Sequence, residues 1–504
     1  MFKNHPKGLL AAALANMGER FGFYTMMAIL VLFLQAKFGL NGTNAGYIYS
    51  TFYFSIYILA LVGGIIADKT RNYKGTIMAG ILMMALGYLL IAIPSPTPVS
   101  NVTLYLTITC VGLFVIAFGN GLFKGNLQAL VGQMYDNEQY SKMRDSGFSL
   151  FYMFINVGAI FAPMLAVGIR NWWLRQCGYG YNADLPALCH GQINGTITPE
   201  AKETLTRLAT EVSGQQVTDL TAFANDYLNV FVTGFHYAFA AAIGAMAISL
   251  VIYLLNKKNF PDPSQKAAAQ SKQTQVVEMS VAEVRQRLLA LFAVFGVVIF
   301  FWFSFHQNGL TLTYFAKEYT ALNLFGMDIT AELFQSLNPF FVVFLTPLVM
   351  AVFEWQRKRG AEPSTPKKIA IGMGIAATAF LVMTIGSYLA NLPLHKDIIA
   401  AGTSPVKVTP LLLIVTYFIL TVAELYISPL GISFVSKVAP PKYQGIMQGG
   451  WLGATALGNQ LLVIGAVLYE SIPIWMTWGV FVIACCISMF TMLAMLKWLE
   501  RVAK

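Results

Sequence analysis

Twelve runs of apolar residues follow one another along this chain, and they limit what it can fold into. Most reach the ~20 residues that an α-helix needs to cross a bilayer. Only 11% of the residues are charged, against about 25% in an average soluble domain. These features predict an all-α integral membrane protein with twelve transmembrane helices. The runs cover approximately residues 9–37, 44–67, 75–94, 103–130, 145–169, 227–255, 288–316, 331–354, 368–391, 409–434, 443–469 and 473–498.

The distribution of Lys and Arg predicts the orientation of the chain. If the N-terminus is cytoplasmic and the spans alternate, 23 of the 33 basic residues fall on the cytoplasmic side and 8 on the outer side. Cytoplasmic loops are enriched in Lys and Arg, so both termini are expected to be cytoplasmic. No removed signal peptide is expected, and the lack of a large outer domain between spans nine and ten favours a multi-pass protein of a bacterial inner membrane.

Two polar segments interrupt the pattern and divide the chain. Residues 170–226 form a long outer loop, in which Thr198 and Pro199 read as the start of a short surface helix. Residues 256–287 form a cytoplasmic linker that ends in a capping box from Ser280 to Glu283. We therefore expect two six-helix bundles, 1–255 and 288–504. Two such halves with a substrate site between them are typical of secondary transporters.

Four charged residues lie deep inside the apolar runs: Glu19, Arg20, Lys124 and Glu424. A charge at the centre of a membrane helix costs about 2.5–3.5 kcal/mol. Two charges of each sign therefore predict a polar cavity inside the bundle. The Lys124 ammonium needs a nearby carboxylate, and Glu19 is the expected partner. Glu19 and Arg20 are open to two interpretations, a cavity wall or a local pair that only holds helices together.

Short motifs in these runs resemble those of one transporter family. Glu19-Arg20-Phe21-Gly22-Phe23-Tyr24 resembles the E-x-x-E-R-F-x-Y-Y segment of the proton-dependent oligopeptide transporters, the POT or PTR family. The further matches to this family run in order along the chain: Gly121 to Asn126, Phe151 to Ala159, Asn338-Pro339, Glu424 to Pro429, and Trp451. Gly63 to Asp68 resembles the loop between spans two and three of the wider major facilitator superfamily. The chain is therefore identified as a member of this family, which implies the major facilitator fold.

The resemblance implies a symporter that imports di- and tripeptides with protons by alternating access. The peptide carboxylate would meet Arg20 and Lys124, and its ammonium group would meet Glu424. Proton coupling would involve Glu19 and Glu424. The remaining substrate-binding residues implied by the motifs are polar or aromatic: Tyr24, Tyr57, Asn156, Trp302, Asn338, Ser428 and Trp451. For Tyr57 and the tryptophans, helix packing is an equally good interpretation.

Three positions depart from the family pattern. Asn16 stands where the family has glutamate, Met27 where it has arginine, and His306 where span seven has glutamate. One hypothesis makes His306 a replacement proton acceptor, since its ordinary pKa is about 6.5. The other, which we favour, makes His306 a neutral hydrogen-bonding group and leaves coupling to the remaining carboxylates or weakens it. The departures also favour an alternative function, transport of a modified peptide, an amino-acid conjugate or another small anion.

Other functional classes fit the sequence less well. An intramembrane enzyme would need a nucleophile–base set or metal ligands in the spans, and we find no such motif and no cofactor site. A binding sensor would be expected to carry a further domain. The basic residues are scattered through short loops, so nucleic acid is not an expected partner. The expected partners are short peptides, protons and the lipid bilayer, and we expect a functional monomer.

Cys177 and Cys189 share the long outer loop. A disulfide between them is one alternative if the loop lies outside the cell. Two free thiols are the other alternative, and the sequence leaves both open.

Overall fold

The computed structural model describes residues 5–135, 138–140, 144–261, 279–440 and 443–503. Twelve helical segments in this part of the chain are long and apolar enough to cross a membrane, which confirms the twelve predicted spans. The helices are α1 Gly8–Phe38, α2 Gly42–Thr70, α3 Tyr73–Ala92, α4 Val102–Met134, α5 Arg144–Gln176, α6 Leu185–Asn194, α7 Pro199–Ser213, α8 Leu220–Asn256, α9 Val281–Phe305, α10 Thr311–Tyr319, α11 Leu337–Lys358, α12 Thr365–Leu389, α13 His395–Ala401, α14 Pro410–Val438, α15 Gln444–Gln460, α16 Leu462–Ser471 and α17 Ile474–Val502.

The helices pack as an N-terminal half, α1–α8, and a C-terminal half, α9–α17. The closest packing within the N-terminal half joins α3 to α4, α1 to α8 and α2 to α4. In the C-terminal half, α12 packs against both α14 and α17. Most of the predicted linker lies outside the described residues. Its end is described, and the Glu283 backbone N–H donates to Ser280 Oγ over 3.2 Å, so the predicted helix start is confirmed.

Glycine allows α2 and α4 to approach closely. A Cβ on Gly63 would lie 2.1 Å from the Gly121 carbonyl oxygen, and a Cβ on Gly121 would lie 2.3 Å from the Leu59 carbonyl oxygen. No side chain fits at either position without moving a backbone. The same device recurs between α3 and α4, where a Cβ on Gly80 would lie 2.6 Å from the Gly119 carbonyl oxygen.

Three spans contain breaks that the apolar pattern does not reveal. In span eleven the break lies at Leu461, between α15 and α16. Span seven consists of α9, a 3-10 turn at His306–Gly309, and α10. A Cβ on Gly309 would lie 2.1 Å from the Tyr49 hydroxyl, so this glycine leaves room for a side chain of the other half. Span eight begins with a 3-10 helix, Ala331–Ser336, before α11. Irregular backbone inside a membrane protein is tolerated where protein surrounds it or where it lines a cavity.

A cap of short helices covers the end of the molecule that the sequence predicts to be outer. The predicted helix start at Thr198 is confirmed, because its side chain accepts a hydrogen bond from the Ala201 N–H. Helices α6 and α13 and a small hairpin, β1 Asn323–Leu324 and β2 Met327–Asp328, were not predicted. The cap joins the two halves, since Thr204 Oγ1 donates to the Ala401 carbonyl oxygen over 2.8 Å.

The disulfide alternative for the outer loop is wrong. Cys177 and Cys189 are both free thiols. Cys177 follows the last turn of α5 and is partly exposed, whereas Cys189 is fully buried on α6. Burial of Cys189 raises the pKa of its thiol, which keeps it in the neutral, unreactive form. The cap is therefore held by packing and hydrogen bonds.

The approach of α2 and α4 gives a test with a neighbouring control. Gly63→Ala should destabilise the protein by about 1–3 kcal/mol, because the new methyl group has no free space. Gly64→Ala should be neutral or stabilising, since no atom lies within 4 Å of a Cβ there and alanine favours helix. Thermal unfolding in detergent measures both, and equal melting temperatures for the two variants would contradict the packing described.

Candidate functional site

A cavity of about 180 Å³ lies between the two halves. On one side it is lined by α1, α2 and α5, and on the other by α9, α11 and α14. Seven of the seventeen lining residues are Phe, Tyr or Trp, and the others include several polar groups. The residues that the sequence singled out and that line this cavity are Tyr24, Met27, Tyr57, Trp302, His306, Asn338, Glu424 and Ser428.

Glu424 faces this cavity from the C-terminal half. Its Oε2 accepts a hydrogen bond of 2.8 Å from Asn338 Nδ2. Asn338 lies in the first turn of α11, just before Pro339, and a proline is tolerated in a first turn because no backbone N–H is needed there. Asn338 also donates to Thr421 Oγ1 over 3.1 Å, which fixes the orientation of its amide. The carboxylate therefore has one fixed donor and a side open to the cavity.

Glu19 and Arg20 form a buried pair in the N-terminal half. Arg20 Nε and Nη2 donate to the two Glu19 oxygens over 2.5 and 2.7 Å. Asn120 Nδ2 adds a third donor to Glu19 Oε1, at 2.6 Å. Such a bidentate pair satisfies both charges away from water. The carboxylate is thus fully engaged by neighbours in its own half.

The predicted pairing of Lys124 with Glu19 is wrong. Lys124 Nζ lies 5.4 Å from the centroid of the Tyr57 ring, and the ion pairs of the described residues do not include it. The adjacent Arg20 supplies the strongest donors to Glu19, and Asn120, one helical turn before Lys124, takes the remaining position. The ammonium group is therefore held near an aromatic face, which is a favourable position for a cation.

Two tyrosines stand between the opposite charges of the two halves. Tyr24 and Tyr57 both line the cavity. Both lie within electrostatic range of Arg20 and of Glu424. Arg20 and Lys124 are not among the described residues that line the cavity, but Arg20 interacts with both tyrosines and Lys124 Nζ lies over the Tyr57 ring. The two basic groups and Glu424 are thus separated by polar aromatic side chains rather than by an apolar core.

Two predicted substrate residues lie elsewhere. Asn156 Nδ2 donates to the Tyr152 carbonyl oxygen of its own helix over 3.2 Å. Trp451 is buried, and its ring covers Gly431, where a Cβ would lie only 1.9 Å from a ring carbon. Neither is among the described residues that line the cavity. For Trp451 the structure favours the packing interpretation, because its large ring fills the space beside Gly431 where α15 meets α14.

The three atypical positions are all buried in the interior. The Asn16 Nδ2 has no hydrogen-bond partner among the residues that the structure describes. Met27 lines the cavity as an uncharged side chain. His306 is stacked on Trp302, with ring centroids 4.9 Å apart, and contacts Tyr53 at 4.7 Å. Its Nδ1 is hydrogen-bonded to Asn459 Oδ1, and because an amide oxygen only accepts, Nδ1 carries the proton of this bond.

Several polar residues of the site were missed from the sequence. Asn120 binds Glu19, Asn459 binds His306, and Gln335 donates to the Ala28 carbonyl oxygen over 3.3 Å. Each of these residues is a polar side chain within an apolar run, close to one of the family motifs. That combination could have identified them from the sequence. The spacing of Asn120 and Lys124 by four residues places both on one helix face.

At the predicted outer end the halves are closed on each other. Glu470 of α16 accepts hydrogen bonds from the backbone N–H groups of Gly42 and Thr43, at 2.6 and 3.1 Å. These groups open α2 in the other half, so a carboxylate caps a helix N-terminus across the interface. His395 of α13 lies 3.2 Å from Glu318 and 3.7 Å from Glu470. A second cavity, of about 350 Å³, lies beneath the cap beside these residues.

The POT family model matches residues 74–284 and 265–478 of this chain. The chain belongs to the POT family. A peptide transporter of Yersinia enterocolitica is 28% identical over 485 residues, covering 91% of this chain and 87% of that protein. The dipeptide and tripeptide permease A of Chromobacterium violaceum is 29% identical over 442 residues, covering 88% of this chain and 81% of that protein.

The solved structures of the POT family share this fold. One is a POT family transporter in complex with 5-aminolevulinic acid, with a TM-score of 0.73 at 20% identity, covering 100% of this chain and 98% of that one. The likeness confirms the predicted major facilitator fold. The chain is a multi-pass transporter of the inner membrane, and its named relatives are peptide transporters rather than enzymes.

The His395 contact predicts a pH-dependent stability. Burial alone would lower the pKa of His395, but the hydrogen bond and charge of Glu318 raise that pKa above its ordinary value. The contribution of protonated His395 to the stability of the folded protein is therefore complete below about pH 6.5. It is lost as the pH rises through the pKa of His395 in the folded state. The melting temperature of the native chain in detergent should therefore fall as the pH rises from about 6.5 through the folded-state pKa of His395. The variant His395→Gln should lack this decrease.

His190 in the same cap is the matched control for this titration. Burial lowers the pKa of His190, against the effect of its hydrogen bond to the Ala36 carbonyl oxygen. The folded protein favours neutral His190, so protonation of this residue lowers the stability only at acidic pH. His190→Gln should leave the fall on the basic side unchanged. A fall that persists in His395→Gln would refute the assignment.

Proposed function

We propose that this chain is a proton-coupled symporter that imports di- and tripeptides by alternating access. One observation carries the proposal. Glu424 faces a cavity from the C-terminal half, while Arg20 and Lys124 lie in the N-terminal half beside Tyr24 and Tyr57. A short peptide is a zwitterion whose charges are complementary to this arrangement. Bound across the cavity, it would tie the halves together and favour the closed state.

The peptide ammonium group would bind Glu424. The carboxylate already accepts from Asn338, and its remaining acceptor positions face the cavity. A charge-assisted hydrogen bond of this kind contributes about 1.5–3 kcal/mol. Asn338 would keep the carboxylate in place whether or not a peptide is present.

The peptide carboxylate would bind on the side of Arg20 and Lys124. Arg20 is held by Glu19, so its donors are engaged before substrate arrives. A proton on Glu19 would remove the negative charge and release the guanidinium for the peptide. Substrate and proton would then favour each other, which is the coupling that a symporter requires.

The walls of the cavity favour loose selectivity. Aromatic rings form a large part of its lining, and such rings contact many side chains without a fixed hydrogen-bond pattern. At about 180 Å³ the cavity is smaller than the roughly 300–1,000 Å³ of a drug-sized site. Short peptides are therefore the expected cargo in this closed form. The proposed transport unit is a single chain, because both sides of the cavity come from one chain. Its termini are proposed to be cytoplasmic, as the distribution of basic residues predicts.

A second candidate is a transporter of a related small molecule with an amine and a carboxylate. Met27 and His306 leave part of the cavity uncharged, and His306 belongs to an aromatic stack. One structurally similar POT family transporter holds 5-aminolevulinic acid. Such a ligand carries the same two charges as a dipeptide, with the same number of bonds between its amino nitrogen and its carboxylate carbon. The same Glu424 and Arg20 sides would then hold it.

Counterflow in proteoliposomes tests the proposed site. With labelled dialanine, Glu424→Gln and Lys124→Ala should each reduce exchange at least about tenfold, the effect of losing one charged hydrogen bond. Glu354→Gln is the matched control, since this carboxylate pairs with Lys358 on the exposed surface of α11. Native-like exchange by Glu424→Gln would contradict the proposal. Counterflow of labelled 5-aminolevulinate without counterflow of labelled dialanine would favour the second candidate.

His306→Gln separates the two hypotheses for the histidine. His306 lies between two aromatic rings, and this packing is what supports the neutral role. We therefore expect the pH profile of dipeptide uptake to keep its shape in His306→Gln, with a change in maximal rate alone. A profile that loses its titration between about pH 5 and 8 would assign the proton to His306.

A further inference from the structure

The cavity beneath the cap, the cap chamber, is larger than the central cavity. Its volume is about 350 Å³, against about 180 Å³ for the central cavity. Small-molecule sites commonly occupy about 300–1,000 Å³. Helix α6 and the end of α1 line the chamber from the N-terminal half, and α10, α13 and α16 line it from the C-terminal half. The chamber is therefore large enough for a ligand, and both halves contribute to it.

The cap chamber and the central cavity follow one another along the same helices. Met27 of α1 lines the central cavity, and Leu32, five residues later, lines the chamber. At a rise of 1.5 Å per residue, these positions are about 7.5 Å apart along the helix axis. In span seven, Asn308 lines the central cavity and Tyr314 lines the chamber. A solute that enters from the predicted outer side therefore meets the chamber first.

Two carboxylates of the chamber already have their hydrogen-bond donors. Glu470 accepts from the N-terminus of α2 through both of its oxygens. Glu318 Oε2 accepts from the Tyr469 hydroxyl over 2.9 Å and from His395 Nδ1 over 3.2 Å. Both carboxylates thus hold the wall of the chamber together, and a ligand would have to bind to other polar groups.

Lys317 of α10 is a cation of the chamber whose donors are only partly used. Its side chain is only 12% exposed. Its Nζ donates to Gln35 Oε1 over 3.3 Å and lies 3.8 Å from Glu318 Oε1, which is beyond hydrogen-bond range. An ammonium group has three donors. At least one of them is therefore available to an anionic group of a ligand.

Asp184 and His190 provide acceptors from the N-terminal half. Asp184 Oδ2 accepts from Thr403 Oγ1 over 2.7 Å and lies 3.7 Å from Lys407 Nζ. The side chain does not cap α6, and Oδ1 accepts from none of the described residues. His190 Nε2 donates to the Ala36 carbonyl oxygen over 2.7 Å. Burial lowers the pKa of His190, so its imidazole is neutral and Nδ1 keeps a lone pair.

The cation and the acceptors lie in one part of the chamber. Lys317 contacts Gln35 and His190 contacts Ala36, two successive residues at the end of α1. An extended peptide of two or three residues spans about 7–11 Å, which is the scale of such an arrangement. Apolar side chains form much of the remaining wall: Leu32, Leu188, Ile197, Phe231 and Ile398. They suit the uncharged parts of a small ligand.

We propose that the cap chamber is a second binding site for short zwitterionic peptides, with the peptide carboxylate at Lys317 and the ammonium group at Asp184 and His190. The proposal rests on the proposed peptide transport and adds a site on the entry path. Lys317 belongs to the C-terminal half, so the polarity is opposite to that of the central cavity. A peptide would lie here in the reverse direction, and the chamber is a separate site.

Protection of an engineered thiol tests this site. Ala183→Cys places a thiol on the chamber lining, next to Asp184, in a chain whose five native cysteines are replaced by alanine. Ala400→Cys is the matched control, because Ala400 is exposed and is not among the described residues that line the chamber. At a dialanine concentration of about ten times Kd, maleimide labelling of Ala183→Cys should slow about tenfold, and labelling of Ala400→Cys should not change.

The protection should depend on the charges of the chamber and not on those of the central cavity. Lys317→Gln and Asp184→Asn, each combined with Ala183→Cys, should raise the dialanine concentration for half protection at least about tenfold, the effect of losing one charged hydrogen bond. Glu424→Gln should leave that concentration unchanged within about twofold, because distant sites act independently.

Three results would overturn the proposal: loss of protection in Glu424→Gln, protection that survives both Lys317→Gln and Asp184→Asn, or equal slowing at Ala400→Cys. If the charge variants do not fold, N-acetyl-dialaninamide decides with Ala183→Cys alone. This ligand lacks both charges, and protection as strong as that by dialanine would refute the charge pairing. If the native chain exchanges no dialanine in counterflow, the proposed function fails, while thiol protection still tests the chamber.

Discussion

Charge buried between two helical halves is the constraint on which the rest of this structure depends. A bilayer gives no water to a charged side chain, so each charge needs a partner inside the protein. Glu19 has Arg20 and Asn120 in the same half, and Glu424 has Asn338 in the other. The hydrogen-bond partners of Glu19 and Glu424 thus lie within their own halves, so the halves can move apart without breaking these bonds.

The contacts between the halves at the cap have a different character. Glu470 caps the first turn of α2, and Arg170 meets Glu332 in a fully buried site. These interactions exist only when the halves are closed. The contacts at the outer end therefore determine how stable the closed conformation is. The charged groups of the central cavity determine which substrate binds. A ligand or a proton shifts such an equilibrium only through groups that differ between the two states.

The apolar runs predicted all twelve spans, because hydropathy over about 20 residues is a local property of the chain. The caps at Thr198 and Ser280 were likewise local and were confirmed. Partner choice was not local. Lys124 was assigned to Glu19, but the adjacent Arg20 and the unpredicted Asn120 occupy that carboxylate. Arg170 and Glu332 lie near the ends of their spans, where charged residues are common and do not indicate a buried site. Only the tertiary packing shows that both side chains are buried. The breaks at Gly309 and before Asn338 also depend on side chains from other helices.

We propose that a zwitterionic peptide lies across the cavity with its ammonium group on the C-terminal half. An experimental structure of this chain with bound dialanine tests it most directly. We predict the peptide nitrogen within about 3.2 Å of a Glu424 oxygen, the range of a hydrogen bond, with the peptide carboxylate beside Arg20 and Lys124. A peptide bound in the reverse direction, or bound beneath the cap with the central cavity filled by side chains, would contradict the account.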